Sequence, residues 1–272
     1  MKKLSKHILI SKRRINHKAE IKRIEPINNK ILKTVLQAFN QVKYNVYSDS
    51  DRVSFLQCEN YRKNLLTNNT VITYEVFGTD QTALVKNICK KAASSKKWCN
   101  FLYALVKHTD KPNILEIGTN LGISGSYMLE AMKNRNGNFI SMEGLPQLCE
   151  IANTQFATIV PKSEFEIIQG LYDETFPKIM KKQVPFNLVF IDGNHKKEPT
   201  IDYFNTLKSN MAQTAVFVFD DINWSDGMKE AWDIIKNDPN VNFTIDMYEQ
   251  GIVIIDKNEP LRNQHFALHL SY

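Results

Sequence analysis

Pro-Asn-Ile-Leu-Glu-Ile-Gly-Thr-Asn-Leu-Gly-Ile-Ser-Gly, residues 112–125, decides how the rest of the chain is read. Ile114 to Ile117 make a short apolar strand, Gly118 and Gly122 bracket a loop, and an amphipathic helix starts at about Ser124. A glycine turn between strand and helix lets backbone N–H groups come close to a ligand, with the helix N-terminus aimed at it. Glu116, on the strand just before the turn, would repel a pyrophosphate. It suits a ligand with positive charge, such as the amino group of an amino acid.

Downstream, strands and helices alternate. Extended runs at 113–117, 138–143, 164–169, 186–192 and 214–220 are separated by helical stretches. That rhythm implies parallel strands joined by crossover helices, a doubly wound α/β sheet. The end breaks it: 241–247 and 251–256 are strand-like, with only a short link around Glu249-Gln250-Gly251. So short a link forces antiparallel pairing. A last extended run, His265 to Leu270, is placed at a sheet edge.

Upstream, Ile31, Val35, Phe39, Val42 and Val46 have helical spacing. A second helix starts at the Ser48-Asp49-Ser50 cap signal and runs to about Leu66. Val71 to Phe77 reads as extended and closed by Gly78, and Trp98, Phe101, Leu102, Leu105 and Val106 mark a further helix. The expected organisation is a basic flexible arm over 1–26, a helical cap over 27–109 and an α/β domain over 110–272.

Charge supports that division. Residues 1–45 carry 12 Lys/Arg against 2 Glu, a net of +10, in a chain whose net charge is +6, so the remainder is −4. The basicity belongs to the N-terminus and reads as a solvated tail; an arm of this kind could also touch nucleic acid. Apolar content of 43% fits a globular protein, and no apolar run approaches the roughly 20 residues that span a bilayer. Cys58, Cys89, Cys99 and Cys149 form no CxxC pair and no metal spacing, so they read as reduced thiols. A cytoplasmic protein with no membrane partner is the expectation.

Ligands of open α/β sheets bind beyond the carboxyl ends of the strands. Here those ends carry Glu116, Gly118, Thr119, Asn120 and Gly122; then Glu143-Gly144; then Gly170-Leu171-Tyr172-Asp173; then Asp192-Gly193-Asn194-His195; then Asp220-Asp221-Ile222-Asn223-Trp224. Glu143 sits where a carboxylate can accept both hydroxyls of a ribose; alternatively it is an acid favourable to a helix N-terminus. With Glu116 before the loop, the set points to S-adenosylmethionine rather than a dinucleotide. Asp192, Asp220 and Asp221 would repel one another without a positive charge between them, and oxygen-only ligation suits a hard ion such as Mg²⁺. The alternative is that Asp220 or Asp221 caps the helix carrying Met228, Ala231, Trp232 and Ile235. His195 can serve as a general base on a substrate hydroxyl, whereas His7, His17, His108, His265 and His269 read as structural.

Together these residues resemble a class I S-adenosylmethionine-dependent methyltransferase over about 110–256. Glu116-Ile117-Gly118-Thr119-Asn120-Leu121-Gly122 looks like the first motif of that family. Phe190-Ile191-Asp192-Gly193-Asn194-His195 and Phe219-Asp220-Asp221 resemble the metal-dependent O-methyltransferases related to catechol O-methyltransferase and to sugar- and antibiotic-tailoring enzymes. The resemblance implies a Rossmann-like, seven-stranded sheet with a reversed last strand behind the helical cap. It further implies Mg²⁺ at Asp192, Asp220 and Asp221, a base at His195, ribose at Glu143 and adenine near Tyr172 and Asp173. The cofactor set expected from residues and resemblance together is Glu116, Gly118, Thr119, Asn120, Gly122, Glu143, Gly144, Gly170, Leu171, Tyr172 and Asp192. The expected activity is Mg²⁺-dependent O-methylation of a small hydroxylated molecule, with the cap covering substrate or forming a homodimer contact. The alternatives are an RNA methyltransferase using the basic arm and, from another class, a nicotinamide-dependent oxidoreductase or a non-enzymatic ligand-binding protein.

Overall fold

A computed structural model describes residues 2–270. It begins with helices α1 (Lys2–Ile24) and α2 (Lys30–Lys43). The chain divides into two compact units, Met1–Gln37 with Pro185–Tyr272, and Ala38–Val184. Neither boundary coincides with residues 26 or 109. Among the described residues, eight strands make up the large, mostly parallel sheet, one more than the seven expected.

The unit Ala38–Val184 holds α3 (Asp49–Thr67), β1 (Val71–Thr73), β2 (Thr82–Leu84), α4 (Val85–Ala92) and α5 (Lys96–His108). These are followed by β3 (Asn113–Ile117), α6 (Ile123–Met132), β4 (Asn138–Glu143), α7 (Pro146–Phe156), β5 (Phe165–Gln169) and α8 (Tyr172–Lys181). β3 pairs with β4 and β4 with β5, both in parallel, as crossover helices require. Ser48 caps α3: its hydroxyl accepts from Asp51 N–H at 3.2 Å, and the Asp51 carboxylate accepts from Ser48 N–H at 3.0 Å. This reciprocal pair satisfies two orphan donors of the first turn. The same Asp51 carboxylate takes Lys107 at 2.6 Å and Tyr103 at 2.9 Å, which binds α3 to α5. Val71 to Phe77 is only partly extended: β1 pairs antiparallel with β2, and Glu75–Phe77 is a 3₁₀ turn ended by Gly78 at φ 71°. Phe156 packs edge-on against Phe139 and Phe165 in the core beside β4 and β5.

The unit formed by the two ends of the chain holds β6 (Leu188–Ile191), α9 (Lys197–Asn210), β7 (Thr214–Phe219) and α10 (Asp226–Lys236). The strands β8 (Phe243–Asp246), β9 (Gly251–Asp256) and β10 (Gln264–Ala267) complete it. The strand order here is β10-β8-β9-β7-β6. β9 runs against both β7 and β8, the reversal that the short link at Gly251 demanded. β10 lies at the edge, parallel to β8, and accounts for the eighth strand. Phe204, Phe217 and Phe219 build an aromatic cluster with centroid separations of 5.3 to 6.3 Å, and burying each ring contributes ~1.5–3 kcal/mol.

The expected flexible arm is instead α1. Ile10, Arg13, His17 and Ile24 form its buried stripe, at helical spacing. Arg13 donates to the Asp246 carboxylate at 2.7 Å and the Asp246 carbonyl at 3.1 Å, and its guanidinium lies 5.7 Å from the Tyr248 ring centre. Arg14 bonds His269 at 3.0 Å, and Glu20 accepts from Ala267 N–H at 3.0 Å. Arg13, Arg14 and Glu20 thus dock the helix to β8, β10 and the segment after β10.

Arg13→Ala would leave a partly buried carboxylate without its partner, so it is expected to lower stability by about 2–4 kcal/mol in urea denaturation. A surface arm would give a change below ~0.5 kcal/mol.

Candidate active site

The loop after β3 folds by consuming its own amides. Gly118 and Thr119 N–H donate to the Met142 carbonyl at 3.1 and 3.0 Å, Leu121 N–H to the Asn120 side chain at 2.7 Å, and Gly122 N–H to the Thr119 carbonyl at 2.8 Å. Asn120 N–H donates to Glu143 Oε2 at 2.8 Å. The sequence reading had these amides turned toward a ligand; they are turned inward. A phosphate cradle needs several free N–H groups converging on one point, and residues 118–122 do not supply it. What glycine does provide is shape. Gly122 sits at φ 73°, and a methyl group there would meet Ala152 and Phe156 at 2.9 Å. Helix α6 can therefore start tight against α7 only with glycine at this position.

Glu116 is fully buried, with Oε1 accepting from Ser124 at 2.6 Å and Oε2 from Ser141 at 2.6 Å. Ser141 in turn meets Thr119 at 2.5 Å. Burial, helped by the negative charge of Glu143, pushes its pKa up to about 7 against the pull of the two serine bonds. Both Glu116 oxygens thus hold the loop and the helix start to β4. Ser124 and Ser141 escaped the sequence reading. The signal was there, since Ser141 is the polar interruption of an inward-facing apolar strand.

Glu143 ends β4. Oε2 takes the Asn120 amide and Oε1 the Leu145 amide at 2.9 Å, and the side chain is 7% exposed. A carboxylate oxygen has two lone pairs, so each still has one for a hydroxyl. Burial raises its pKa in spite of those amides. Gly144 follows directly. Gly170 N–H donates to the Glu143 carbonyl at 2.9 Å, and Gly170 itself sits at φ 135°. Leu171 is exposed at the N-cap of α8, whose first residue is Tyr172, with Asp173 and Glu174 in its first turn. In the unit Ala38–Val184 the structure therefore gathers Gly118, Thr119, Asn120, Gly122, Glu143 and Gly144 around the β3 and β4 ends, with Gly170 joined to the end of β4 and Leu171 and Tyr172 following it.

The other unit gathers Asp192, His195, Asp220 and Asp221. His195 Nε2 lies 3.5 Å from Asp192 Oδ1, and the Asp192 side chain is within hydrogen-bonding reach of Asp220. Burial first, then the charge of Asp221, pushes Asp220 up to about 7. Burial lowers the pKa of His195, opposed by Asp221, and raises that of Asp221, opposed by His195. The amide of Gln250 is buried beside Asp220 without a well-formed hydrogen bond. Among the described residues no group of three or more His, Cys, Asp or Glu is arranged as a ready metal shell. The capping alternative for Asp220 and Asp221 does not hold, because Ser225 is the N-cap of α10 and accepts from Met228 N–H at 3.1 Å. Asn194, His195, Asp221 and Tyr248 all have positive φ, between 29° and 75°. Positive φ is also found in plain turns such as Asn45 and Asn134, so these four are residues that tolerate the left-handed region and let the chain turn at the strand ends. Of the other described histidines, His108 bonds Gln41 at 2.7 Å, His265 bonds Thr244 at 2.9 Å and His269 bonds Arg14 at 3.0 Å.

Glu116 supplies a test of the loop. A carboxyl whose pKa is raised from 4.5 to about 7 on folding leaves stability intact below pH 4.5 and removes it as pH rises toward 7, by up to about 3 kcal/mol. Glu116→Gln abolishes that loss. The difference in melting temperature, variant minus wild type, is expected to grow from pH 4.5 to pH 7; parallel curves would show that the carboxyl is not sealed.

A family model described as a methyltransferase domain matches residues 115–222. A catechol O-methyltransferase from Niastella koreensis is 30% identical over 105 residues, covering 38% of this chain and 46% of that protein, so the match spans about half the length of the relative. An O-methyltransferase from Bacillus cereus, solved in complex with SAH, superposes with a TM-score of 0.53 at 22% identity, over 61% of this chain and 84% of that one. The O-methyltransferase TomG from Streptomyces achromogenes, solved in complex with SAM, gives 0.54 at 21% identity, over 61% and 82%. With β9 reversed in the sheet and the glycine loop opening α6, the chain shares the fold of these solved O-methyltransferases, and residues 115–222 resemble a methyltransferase domain.

Proposed function

We propose that this protein transfers the methyl group of S-adenosylmethionine to an oxygen of a small hydroxylated molecule, with Mg²⁺ held by Asp192, Asp220 and Asp221. The observation that carries the cofactor reading is the pairing of Glu143 with the loop. Its carboxylate is fixed by two backbone amides yet keeps a lone pair on each oxygen, which suits the two hydroxyls of a ribose. The loop's inward amides argue against a pyrophosphate, and so against the nicotinamide alternative. The grouping of Asp192, Asp220 and Asp221 with His195 favours an enzyme over a ligand-binding protein. The RNA alternative loses support too, since α1 commits Arg13 to Asp246 and Arg14 to His269.

The donor set suits a hard divalent ion: oxygen atoms alone, with the Asp220 carboxyl held toward its neutral form next to Asp192 and Asp221. The two neighbouring carboxyls would give up the proton they retain near neutral pH in exchange for the ion. When bound, Mg²⁺ would lower the pKa of an acceptor hydroxyl. His195, with its pKa lowered by burial, is neutral at pH 7 and free to take that proton. Little else is asked of the chain, because a sulfonium is already a good leaving group and positioning supplies much of the rate.

With a catechol or vicinal diol as acceptor, mass spectrometry is expected to show the gain of one methyl in Mg²⁺ and none in EDTA; an undiminished rate in chelator would remove the metal from the mechanism. His195→Ala is expected to lower kcat by about 10²–10⁴-fold while SAH still binds with unchanged affinity. A variant that turns over at the wild-type rate would remove His195 as the base.

A further inference from the structure

Val71 to Phe77 reads from sequence as an extended segment of the cap closed by Gly78, outside the expected cofactor set. Its position suggests otherwise. Thr73 N–H donates to the Gln147 side chain at 2.9 Å, and the Gln147 amide reaches back to the Val71 carbonyl at 3.4 Å. Gln147 lies in the first turn of α7, so β1 is fastened immediately after the β4 end. The 3₁₀ turn Glu75–Phe77 then brings the Phe77 ring directly onto Gly144. A methyl group placed on Gly144 would meet that ring at 2.9 Å and would lie 3.9 Å from Leu171. Phe77 and Leu171 therefore converge on a glycine that has no side chain of its own, next to Glu143.

The exposure of these groups needs an explanation. Phe77 is 52% exposed and Leu171 36%, beside a carboxylate that is 7% exposed. Tyr74 stands behind, its ring 6.4 Å from that of Phe77. Its hydroxyl pKa is raised, chiefly by burial and then by the charge of Glu143, which places it within the field of that carboxylate. A half-exposed aromatic face, an aliphatic group and a bare glycine beside a hydroxyl-accepting acid form a slot for a flat apolar ring attached to a sugar.

We infer that Phe77, carried by the cap and backed by Tyr74, forms one wall of the subsite for the adenine ring, with Gly144 as floor and Leu171 facing it. The inference rests on the cofactor reading above and adds a residue outside the matched span, 115–222. It also gives Gly144 a reason: any side chain there would displace the Phe77 ring. The cap thereby contributes to cofactor affinity as well as to whatever it does for the acceptor.

Calorimetric titration of the full-length protein with SAH, and separately with adenosine, tests the assignment. Phe77→Ala is expected to weaken both ligands by about tenfold, ~1.4 kcal/mol, since the lost contact is with the ring they share. Phe77→Leu, which keeps apolar bulk without the aromatic plane, is expected to weaken both by about threefold. Melting temperatures within a few degrees of wild type would establish that the variants fold, as the exposure of Phe77 leads one to expect. Affinities within about twofold of wild type for both variants, or a loss confined to SAH with adenosine unaffected, would overturn the inference. A wild-type protein that binds neither ligand would instead overturn the cofactor reading, so the two failures are distinguishable.

Discussion

A buried carboxylate ties together the turn from β3 into α6. Glu116 is completely sealed, yet it accepts from Ser124 on one oxygen and from Ser141 on the other, and Ser141 meets Thr119. Those partners lie at the start of α6, in β4 and in the glycine loop. One side chain therefore fixes three elements at the point where strand gives way to helix. Burying such an acid costs several kcal/mol if it ionises unpaired, and its elevated pKa shows that the cost is met partly by retaining a proton. With the loop so held, Asn120 can adopt φ 49° and present its amide to Glu143. The geometry of Glu143 is thus a consequence of Glu116, one layer below.

The two acidic centres solve the problem of charge differently. Glu143 is served by backbone amides, which stabilise the ionised form without demanding a counter-ion. Asp220 has carboxylates for neighbours and no cationic side chain among the groups that shift it, so it keeps its proton to about pH 7. An acid satisfied by amides is suited to neutral hydroxyls. An acid surrounded by other acids is suited to a cation. Carboxylates at two strand ends, Glu143 after β4 and Asp220 after β7, thus sit in opposite electrostatic surroundings.

Much of this was legible in the sequence, and the reasons are specific. The parallel strands β3 to β7 follow from apolar runs separated by helical spacing, and the reversal of β9 follows from a link too short for a crossover. The Ser48-Asp49-Ser50 cap signal marked the neighbourhood in which α3 starts, at Asp49. The arm failed because the buried stripe of α1 is not apolar: Arg13 and His17 occupy it beside Ile10 and Ile24, so hydrophobic periodicity is silent. Their partners, at Asp246 and beyond, lie more than two hundred residues away, where no local rule reaches. Glu116 was recognised as important, but its serine partners Ser124 and Ser141 were not. Alternation along a strand says which residues share a face, not whether that face is covered by a helix.

Phe77 shows the same limit from the other side. Nothing in Val71 to Phe77 distinguishes it from a surface strand, because its significance lies in what is missing elsewhere, the side chain of Gly144. On the proposed cofactor reading, a glycine directly after Glu143 leaves one side of a ring-binding slot open, and some other part of the chain has to close it. The side chain that does so comes from sixty-seven residues upstream, held by one glutamine at the start of α7. Spatial complementarity between an absence and a distant aromatic cannot be read from either stretch alone. It becomes a physical argument only once the turn at 74–77 is anchored, and the Thr73–Gln147 hydrogen bond is the contact that anchors it.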